Sequence, residues 1–492
     1  VADIRYVVVS DLHFGAENSL LTSIVEDAAP LGFSADPRTP SPVLVGFLDG
    51  LRHLTGQQDR RPTLVLAGDV VDLALCPDEV SATVFGGFAE LAFGDGGVFA
   101  PVVYYLPGNH DHHLWETARE DQYIRYVQTL PLTDDLAPPW HVTRIRPEDQ
   151  SPAVGSAWMT SLIQRQPGCR GVEVRVVYPN MALVSSDGRR GVVVSHGHFT
   201  ESIYTLMSQF KDVLYPDQRE GLFTSDIALW EEENFAWIDF LWSTLGRSGE
   251  VGSDLGLVYA DLSSPKDLDA LVSNLTKALL AKGKGPKWMR PAERWALNSI
   301  FERETNRLAR SERGTPDVTL SDKGKKGLRT YLEGPVLAQV RGEVGGLPDE
   351  LTFVFGHTHK PFVDRWDVAG HARPVRIMNT GGWVVDSAAP APTQGAVAVL
   401  VDDELEAVSL QLYRQSATAT PVPVQLLPAA AGDDSALALR AQVTAALDPT
   451  APPWAALTGA ASRLIAQRHR MQAALVAQRE VGRPERAGRR RR

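Results

Sequence analysis

Five short, almost unbroken apolar runs constrain this chain more than any other feature. They are Ile4–Ser10 (IRYVVVS), Thr63–Ala67 (TLVLA), Val102–Leu106 (VVYYL), Val192–Ser195 (VVVS) and Leu351–Phe355 (LTFVF). Their shortness, their valine content and the absence of a 3.6-residue period predict strands buried on both faces. Each run is followed at once by Asp, Gly, Asn or His. Polar groups therefore gather at the carboxyl ends of strands, the edge of an open α/β sheet where ligands bind.

Other stretches are read around that frame. Val375–Met378, Ala396–Val401 and Leu405–Tyr413 alternate, with a turn at Asp402-Asp403, and predict a second sheet. Leu114–Leu130 has a helical pattern, and from Glu201 to Gly346 the chain turns helical throughout, with Ile227, Trp230, Trp237, Phe240, Leu241 and Leu245 at helical spacing. Further helices are expected from the Ser264-Pro265 start to near Gly283, and from Pro291 toward Gly314. Beyond residue 414 the sequence is rich in Ala and Pro, with two expected helices, Ala436–Ala446 and Trp454–Arg479. The expected division is a core of 1–200 and 346–414, an inserted helical cap of 201–345, and an extension of 415–492.

Composition excludes several classes. With 43% hydrophobic and 22% charged residues the chain is neither disordered nor fibrous. No apolar stretch approaches the roughly 18 residues of a spanning helix. Two cysteines, Cys76 and Cys169, are too few for a disulfide framework or a thiolate metal site. The start shows no leader pattern, and a cytoplasmic protein is expected. Net charge is −11 overall and +8 from Arg463 to Arg492, which leaves −19 for the remainder. So acidic a body does not favour nucleic acid as a partner. The basic end, Arg489–Arg492, is read as a solvated terminus or as a peripheral contact with an anionic membrane.

The chemistry lies directly after the five runs: Asp11-Leu12-His13; Gly68-Asp69-Val70-Val71-Asp72; Gly108-Asn109-His110-Asp111; His196-Gly197-His198; and Gly356-His357-Thr358-His359. Binuclear metal catalysis needs such a set. Two divalent ions about 3.5–4 Å apart clamp the attacking and leaving oxygens of a displacement at phosphorus. Holding them takes a carboxylate able to bridge, with imidazole, carboxylate and amide oxygen on either side. Mixed nitrogen and oxygen donors suit manganese, iron, zinc or cobalt rather than calcium.

In this order, D-x-H, G-D-x-x-D, G-N-H-D, a lone His before Gly, and G-H-x-H resemble the calcineurin-like metallophosphoesterases, over roughly residues 1–200 and 346–413. The resemblance implies an α/β/β/α four-layer sandwich, here with the inserted helical cap and a C-terminal helical extension. It implies two divalent metal ions, manganese first, with iron, zinc or cobalt as alternatives. One ion would take Asp11, His13 and His359; the other would take Asn109, His196 and His357; Asp69 would bridge them. A hydroxide bridging both ions would attack phosphorus. His110 would act as general acid or electrostatic aid at the leaving oxygen, with Asp111 orienting its ring. Asn109 would also meet the substrate phosphate, His198 is read either as reaching it or as a helix-start or loop histidine, and Asn379-Thr380-Gly381 resembles the family's closing loop.

Asp72 is read as a turn or supporting acceptor rather than a ligand, and at most one of His112 and His113 is expected to face the site. His53, His141, His371 and His469 are read as surface residues. The cap tryptophans Trp230, Trp237, Trp242, Trp288 and Trp295 suit a small helical core, or a groove for an apolar substrate tail. No tyrosine stands at Asp72, against the purple acid phosphatases, and Leu73-Ala74 follows it in place of Arg-Gly, against the protein Ser/Thr phosphatases. The Asp-Leu-His-Phe-Gly start and Gly-His-Thr-His-Lys-Pro end resemble two other groups. The UDP-diacylglucosamine pyrophosphatases have Arg where His110 stands, and the nuclease subunits of double-strand-break repair lack so long an insertion. The expected function is hydrolysis of a phosphodiester, pyrophosphate or phosphomonoester, on a lipid-linked or nucleotide substrate. The alternatives are a repair-type DNA exo- or endonuclease and a metal-free interaction scaffold.

Overall fold

The computed structural model describes residues 3–26, 32–214, 225–240, 243, 317–416, 421–433 and 435–482. The helices expected from Ser264 to Gly283 and from Pro291 to Gly314, with Trp242, Trp288, Trp295 and Arg489–Arg492, lie outside the described residues.

All five apolar runs form strands. In chain order the strands are β1 (Ile4–Val9), β2 (Thr22–Glu26), β3 (Phe33–Pro40), β4 (Thr63–Leu66), β5 (Val102–Tyr105), β6 (Glu173–Val176), β7 (Asn180–Val184), β8 (Arg190–Ser195), β9 (Glu350–Phe355), β10 (Phe362–Trp366), β11 (Val375–Asn379), β12 (Gly395–Asp402), β13 (Ala407–Arg414) and β14 (Gln425–Leu426). One sheet has the order β14-β13-β12-β1-β4-β5-β6, and a second has β10-β11-β9-β8-β7. In the first, β1, β4, β5 and β6 run parallel. In the second, β8, β9 and β11 run parallel. The motif-bearing strands are thus split three and two between the sheets, rather than lined along one edge.

The expected second sheet of residues 375–413 does not form as such. β11 joins β8 and β9, while β12 and β13 complete the seven-stranded sheet. Burial explains the misreading. Every residue of β12 is buried. Ala396, Ala398 and Leu400 enter the core on the helical side of the sheet, while Val397, Val399 and Val401 enter the core it shares with the other sheet. A strand covered on both faces carries no signal of which sheet it belongs to.

Three cores position the layers. Val7 and Val9 pack with α1 (Pro42–Thr55) and α2 (Asp78–Phe93). Ser41 starts α1 by accepting the Val43 N–H, with Pro42 in the first turn where its missing N–H costs nothing. Between the sheets lie Val8, Val65 and Leu106 from one and Val194, Val354 and Met378 from the other. On the far face, Val193, Phe353 and Phe355 share a core with Leu328, Tyr331, Leu337 and Val340, which lie on the helices Asp322–Tyr331 and Leu337–Val344. The last stretch of the expected cap therefore forms part of the outer helical layer.

Three further helices are α3 (His113–Thr129), which follows the third motif, α4 (Ala157–Gln164) and α5 (Leu206–Leu214). A fourth, α6 (Ile227–Asp239), lies in the inserted segment and is capped by Asp226. The C-terminal helix Trp454–Gly482 is docked against the core through Trp454, Leu457, Ala460 and Ala461. Its fully buried Arg468 donates to the carbonyls of Ser19 and Thr22. No helix among the described residues is long and apolar enough to cross a membrane.

Candidate active site

The loops after β1, β4, β5, β8 and β9 converge where the two sheets meet, and the backbone there is strained. Asp11, His13, Asp69, His357 and His359 all adopt positive φ, between 47° and 69°. Among the other described non-glycine residues only Leu405 and Ala436 do so. Such conformations cost on the order of 1–3 kcal/mol each and persist where surrounding structure enforces them, most often at functional sites. The enforcement is visible. Asp11 N–H donates to Gly68 O and His13 N–H to Asp69 O, both at 2.9 Å, and the His357 N–H donates to the Asp11 carboxylate at 2.9 Å. Gly68 itself has φ of +90°, and a β-carbon there would collide with the His196 ring. At Gly108 the obstacle would be Asp69.

Two clusters of possible ligands share this space: Asp11, His13 and His359, and Asp69, His196 and His357. Asp69 joins them. Its Oδ1 accepts the His110 N–H at 2.8 Å. Its Oδ2 lies 3.7 Å from His13 Nε2 and 3.5 Å from His196 Nε2. Asp11 Oδ1 is 3.3 Å from His359 Nε2.

The imidazoles are aimed by what holds their other nitrogen. His13 Nδ1 donates to Asp72 at 2.9 Å, His359 Nδ1 to Asp386 at 2.9 Å and His196 Nδ1 to the Ala67 carbonyl at 3.0 Å. With Nδ1 anchored, each ring turns Nε2 inward, where it becomes an electron-pair donor once it carries no proton. The Nε2 atoms of His13, His357 and His359 are buried and make no well-formed hydrogen bond, with carboxylate oxygens at 3.7, 3.3 and 3.3 Å respectively. Buried polar nitrogens without partners are rare enough to demand a ligand or ion.

The second cluster tests the fit of a cation more sharply. Burial lowers the His196 pKa, and the charges of Asp69 and Asp11 only partly oppose it. The ring is therefore neutral, with its proton spent on Ala67. Its Nε2 then faces Asn109 Oδ1 at 3.0 Å and Asp69 Oδ2 at 3.5 Å. A neutral ring has one proton for two acceptors, Ala67 O and Asn109 Oδ1, each at 3.0 Å, a shortage that a metal ion at Nε2 relieves. In the first cluster protons do the balancing. Burial opposes protonation of His359, but the carboxylates of Asp11 and Asp386 outweigh it and push its pKa up to about 9. For His13 burial likewise loses, here to Asp72 and Asp69, and its pKa rises. Burial would raise the pKa of Asp11, yet the neighbouring imidazoles, His359 foremost, hold it well below the usual carboxylate range.

Every sequence-derived candidate lies in or beside this pocket, but two roles change. Asp111 does not orient His110. Its carboxylate accepts the backbone N–H groups of Gly108 and Val70, both at 2.7 Å, and of Asp69 at 3.3 Å, so it braces the loop. Asp72 takes that place, with Oδ2 3.4 Å from His110 Nδ1 and 2.9 Å from His13 Nδ1. The supporting role read for Asp72 fits this position. His198 is not presented to a substrate. It is buried, and its Nε2 is 3.2 Å from the Tyr178 hydroxyl, which itself donates to Glu231 at 2.9 Å. Trp230 is a core residue, packed on Phe199 and Tyr331. His371 and His469 are tied to backbone carbonyls of Pro348 and Ser387.

Three acids escaped the sequence reading: Asp386 behind His359, Glu201 at 3.3 Å from His357 Nε2, and Glu231 behind His112. None belongs to a spaced motif, and only their position after a strand or in the helical insert could have drawn notice.

The family model for calcineurin-like phosphoesterases matches residues 4–244. This half of the chain is a calcineurin-like phosphoesterase. The match stops before the fifth motif, and the fold returns His357 and His359 to the same pocket. At the level of reaction class the phosphoesterase is a metal-dependent hydrolase of phosphoric esters, using two divalent ions. Among solved structures, a dimetal phosphatase from Danio rerio is similar at 11% identity and a TM-score of 0.30, over 85% of this chain and 98% of that one. No protein of curated function matches.

Proposed function

We propose that Asp11, His13 and His359 hold one divalent ion, that Asn109, His196 and His357 hold the other, and that Asp69 serves both. The phosphoesterase would hydrolyse a phosphodiester, pyrophosphate or phosphomonoester. The observation that carries this reading is the Oδ2 atom of Asp69, standing 3.7 Å from His13 Nε2 and 3.5 Å from His196 Nε2. Manganese suits the mixed imidazole, carboxylate and amide donors, with iron, zinc or cobalt as alternatives. When bound, such ions supply charge neutralisation at the phosphoryl oxygens and a nucleophilic water at neutral pH.

The chain's own residues supply the rest. His110 is the general acid for the departing oxygen. Its Nδ1 faces Asp72 and its backbone N–H is held by Asp69, which fixes the ring in the pocket for proton delivery. Burial works against ionisation of Asp72, but the charges of His110 and His13 outweigh it and keep its pKa far below the usual range. An ionised Asp72, 3.4 Å from Nδ1, orients the His110 ring. Asn109 uses its amide N–H to bind a phosphoryl oxygen. Tyr178, itself held by Glu231, engages His198, whose ring lies against that of His196.

Metal-depleted protein titrated with Mn²⁺, Fe²⁺, Zn²⁺ or Co²⁺ tests this against nitrophenyl phosphate, bis-nitrophenyl phosphate, a nucleoside diphosphate and single-stranded DNA. Ester or pyrophosphate hydrolysis that saturates at two equivalents is expected. Degradation of DNA in preference to the small esters would favour the repair-nuclease reading, and silence with every metal and substrate would favour the scaffold.

A further inference from the structure

The buried face of α6 carries charge where a packing helix would carry only carbon. Ile227, Trp230 and Ile238 enter the apolar core, but Glu231 and Asn234 on the same helix are also fully buried. A buried carboxylate is tolerated only when it is paired and hydrogen-bonded. Glu231 is paired on both oxygens: Oε1 accepts from His112 Nε2 at 2.9 Å and Oε2 from the Tyr178 hydroxyl at 2.9 Å. Burial opposes protonation of His112, yet the Glu231 carboxylate outweighs it and raises the pKa, which favours the charged ring in this contact. One residue on, His113 Nδ1 is 3.1 Å from Asp239 at the end of α6.

These contacts fall on the two residues that follow Asn109-His110-Asp111. His112 stands where α3 begins and makes no side-chain capping bond. The start of α3 is therefore held by α6, not by the usual local cap. Asp111 is bound to Gly108, Asp69 and Val70, and the His110 N–H donates to Asp69 Oδ1 at 2.8 Å. His110 is thus tied to the core at its own N–H and through Asp111, and to the inserted segment through the two residues that follow.

We propose that Glu231 is a positioning residue for the hydrolysis: through His112, with Asp239 through His113 as a weaker companion, α6 clamps the third-motif loop and sets His110 against the leaving oxygen. The proposal rests on the general-acid reading of His110. Through these contacts α6 acts on the chemistry by fixing a proton donor that would be displaced if the loop relaxed. A misplacement of about 1 Å costs on the order of a hundredfold when a catalytic group must meet its partner in line.

The test uses the full chain loaded with Mn²⁺ and compares an alkyl phosphate ester with a nitrophenyl ester. Glu231→Gln keeps the shape of the side chain and removes its charge. On the alkyl ester kcat should fall at least tenfold, with KM and bound metal unchanged and a much smaller loss on the nitrophenyl ester. In a His110→Ala background the same change should cost nothing further. Asp239→Asn, at a partly exposed position that leaves the core intact, should show the same leaving-group pattern at a few-fold. Full activity of both variants, equal losses on both esters, loss of metal, or an undiminished effect in the His110→Ala background would each overturn the clamp. If His110→Ala itself left alkyl-ester hydrolysis intact, the general-acid reading would fail first and take the clamp with it. Intact Glu231→Gln activity beside a crippled His110→Ala would sink the clamp alone.

Discussion

The two halves of the metal pocket are built from the same residue types and differ in what stands behind them. In the half around Asp11, His13 and His359 rest their Nδ1 atoms on carboxylates, Asp72 and Asp386, and both rings have raised pKa values. In the half around Asn109, His196 rests on a backbone carbonyl and its pKa is lowered. A carboxylate behind an imidazole makes it a stronger donor, but also a better base, so protons compete with metal. A carbonyl fixes orientation and adds no charge. The Asp11 half should therefore bind tightly and release protons, while the His196 half binds with little proton exchange.

Asp69 is where the halves meet, and its loss should have the largest effect. Asp69→Ala should lower kcat by about a thousandfold or more, equivalent to roughly 4 kcal/mol of transition-state stabilisation. Elemental analysis should show fewer than two ions retained. Retention of both ions with near-normal turnover would mean that the two half-sites do not depend on a shared carboxylate. His110→Ala comes next. On a poor leaving group a loss of about 10²–10⁴ is expected, shrinking on a nitrophenyl ester whose departing oxygen needs no proton. Steady-state kinetics on the two esters separates that outcome from a binding role.

Asp386→Asn addresses the comparison itself. Asp386 also accepts from Asn18 at 3.1 Å, so the substituted amide keeps a neighbour while losing its charge. Affinity for one of the two ions should fall about 10–100-fold, as is typical when the group behind a ligating imidazole is changed. A chelator competition should show one ion leaving early and the other unmoved. Simultaneous loss of both would show that the halves are not independent. The smallest effect is a proton count. His359 holds its proton up to about pH 9 in the metal-free protein. Its ion pairs therefore stabilise that form fully below the ordinary histidine pKa, and the contribution is lost as pH rises through about 9. Metal binding at neutral pH should expel that proton, and calorimetry in buffers of different ionisation enthalpy should detect the release fading above about pH 9. No release at neutral pH would remove the claimed asymmetry.

Much of this site was readable before any coordinates, for a physical reason. A metal pocket at strand ends needs few residue types at short spacing, and each cluster sits beside a strand that hydrophobicity alone reveals. Asp11, His13, Asp69, Asn109, His110, His196, His357 and His359 were all named on that basis. What sequence could not supply was orientation. Asp111 directly follows His110, which made it the natural partner, yet its carboxylate is taken by backbone N–H groups, and Asp72 faces the ring from a different loop. Asp386 and Glu231 act across 27 and 119 residues of chain, where no spacing rule operates. The sheets show the same limit. The runs were recognisable as strands, but β12, buried on both faces, gave no sign that it pairs with β1.

The most direct test of the account is anomalous diffraction from crystals grown with Mn²⁺, measured on either side of the manganese edge. Two peaks are predicted, one among Asp11, His13 and His359 and one among Asn109, His196 and His357, with Asp69 touching both. A single peak, or peaks elsewhere with these imidazoles still facing carboxylates, would contradict it.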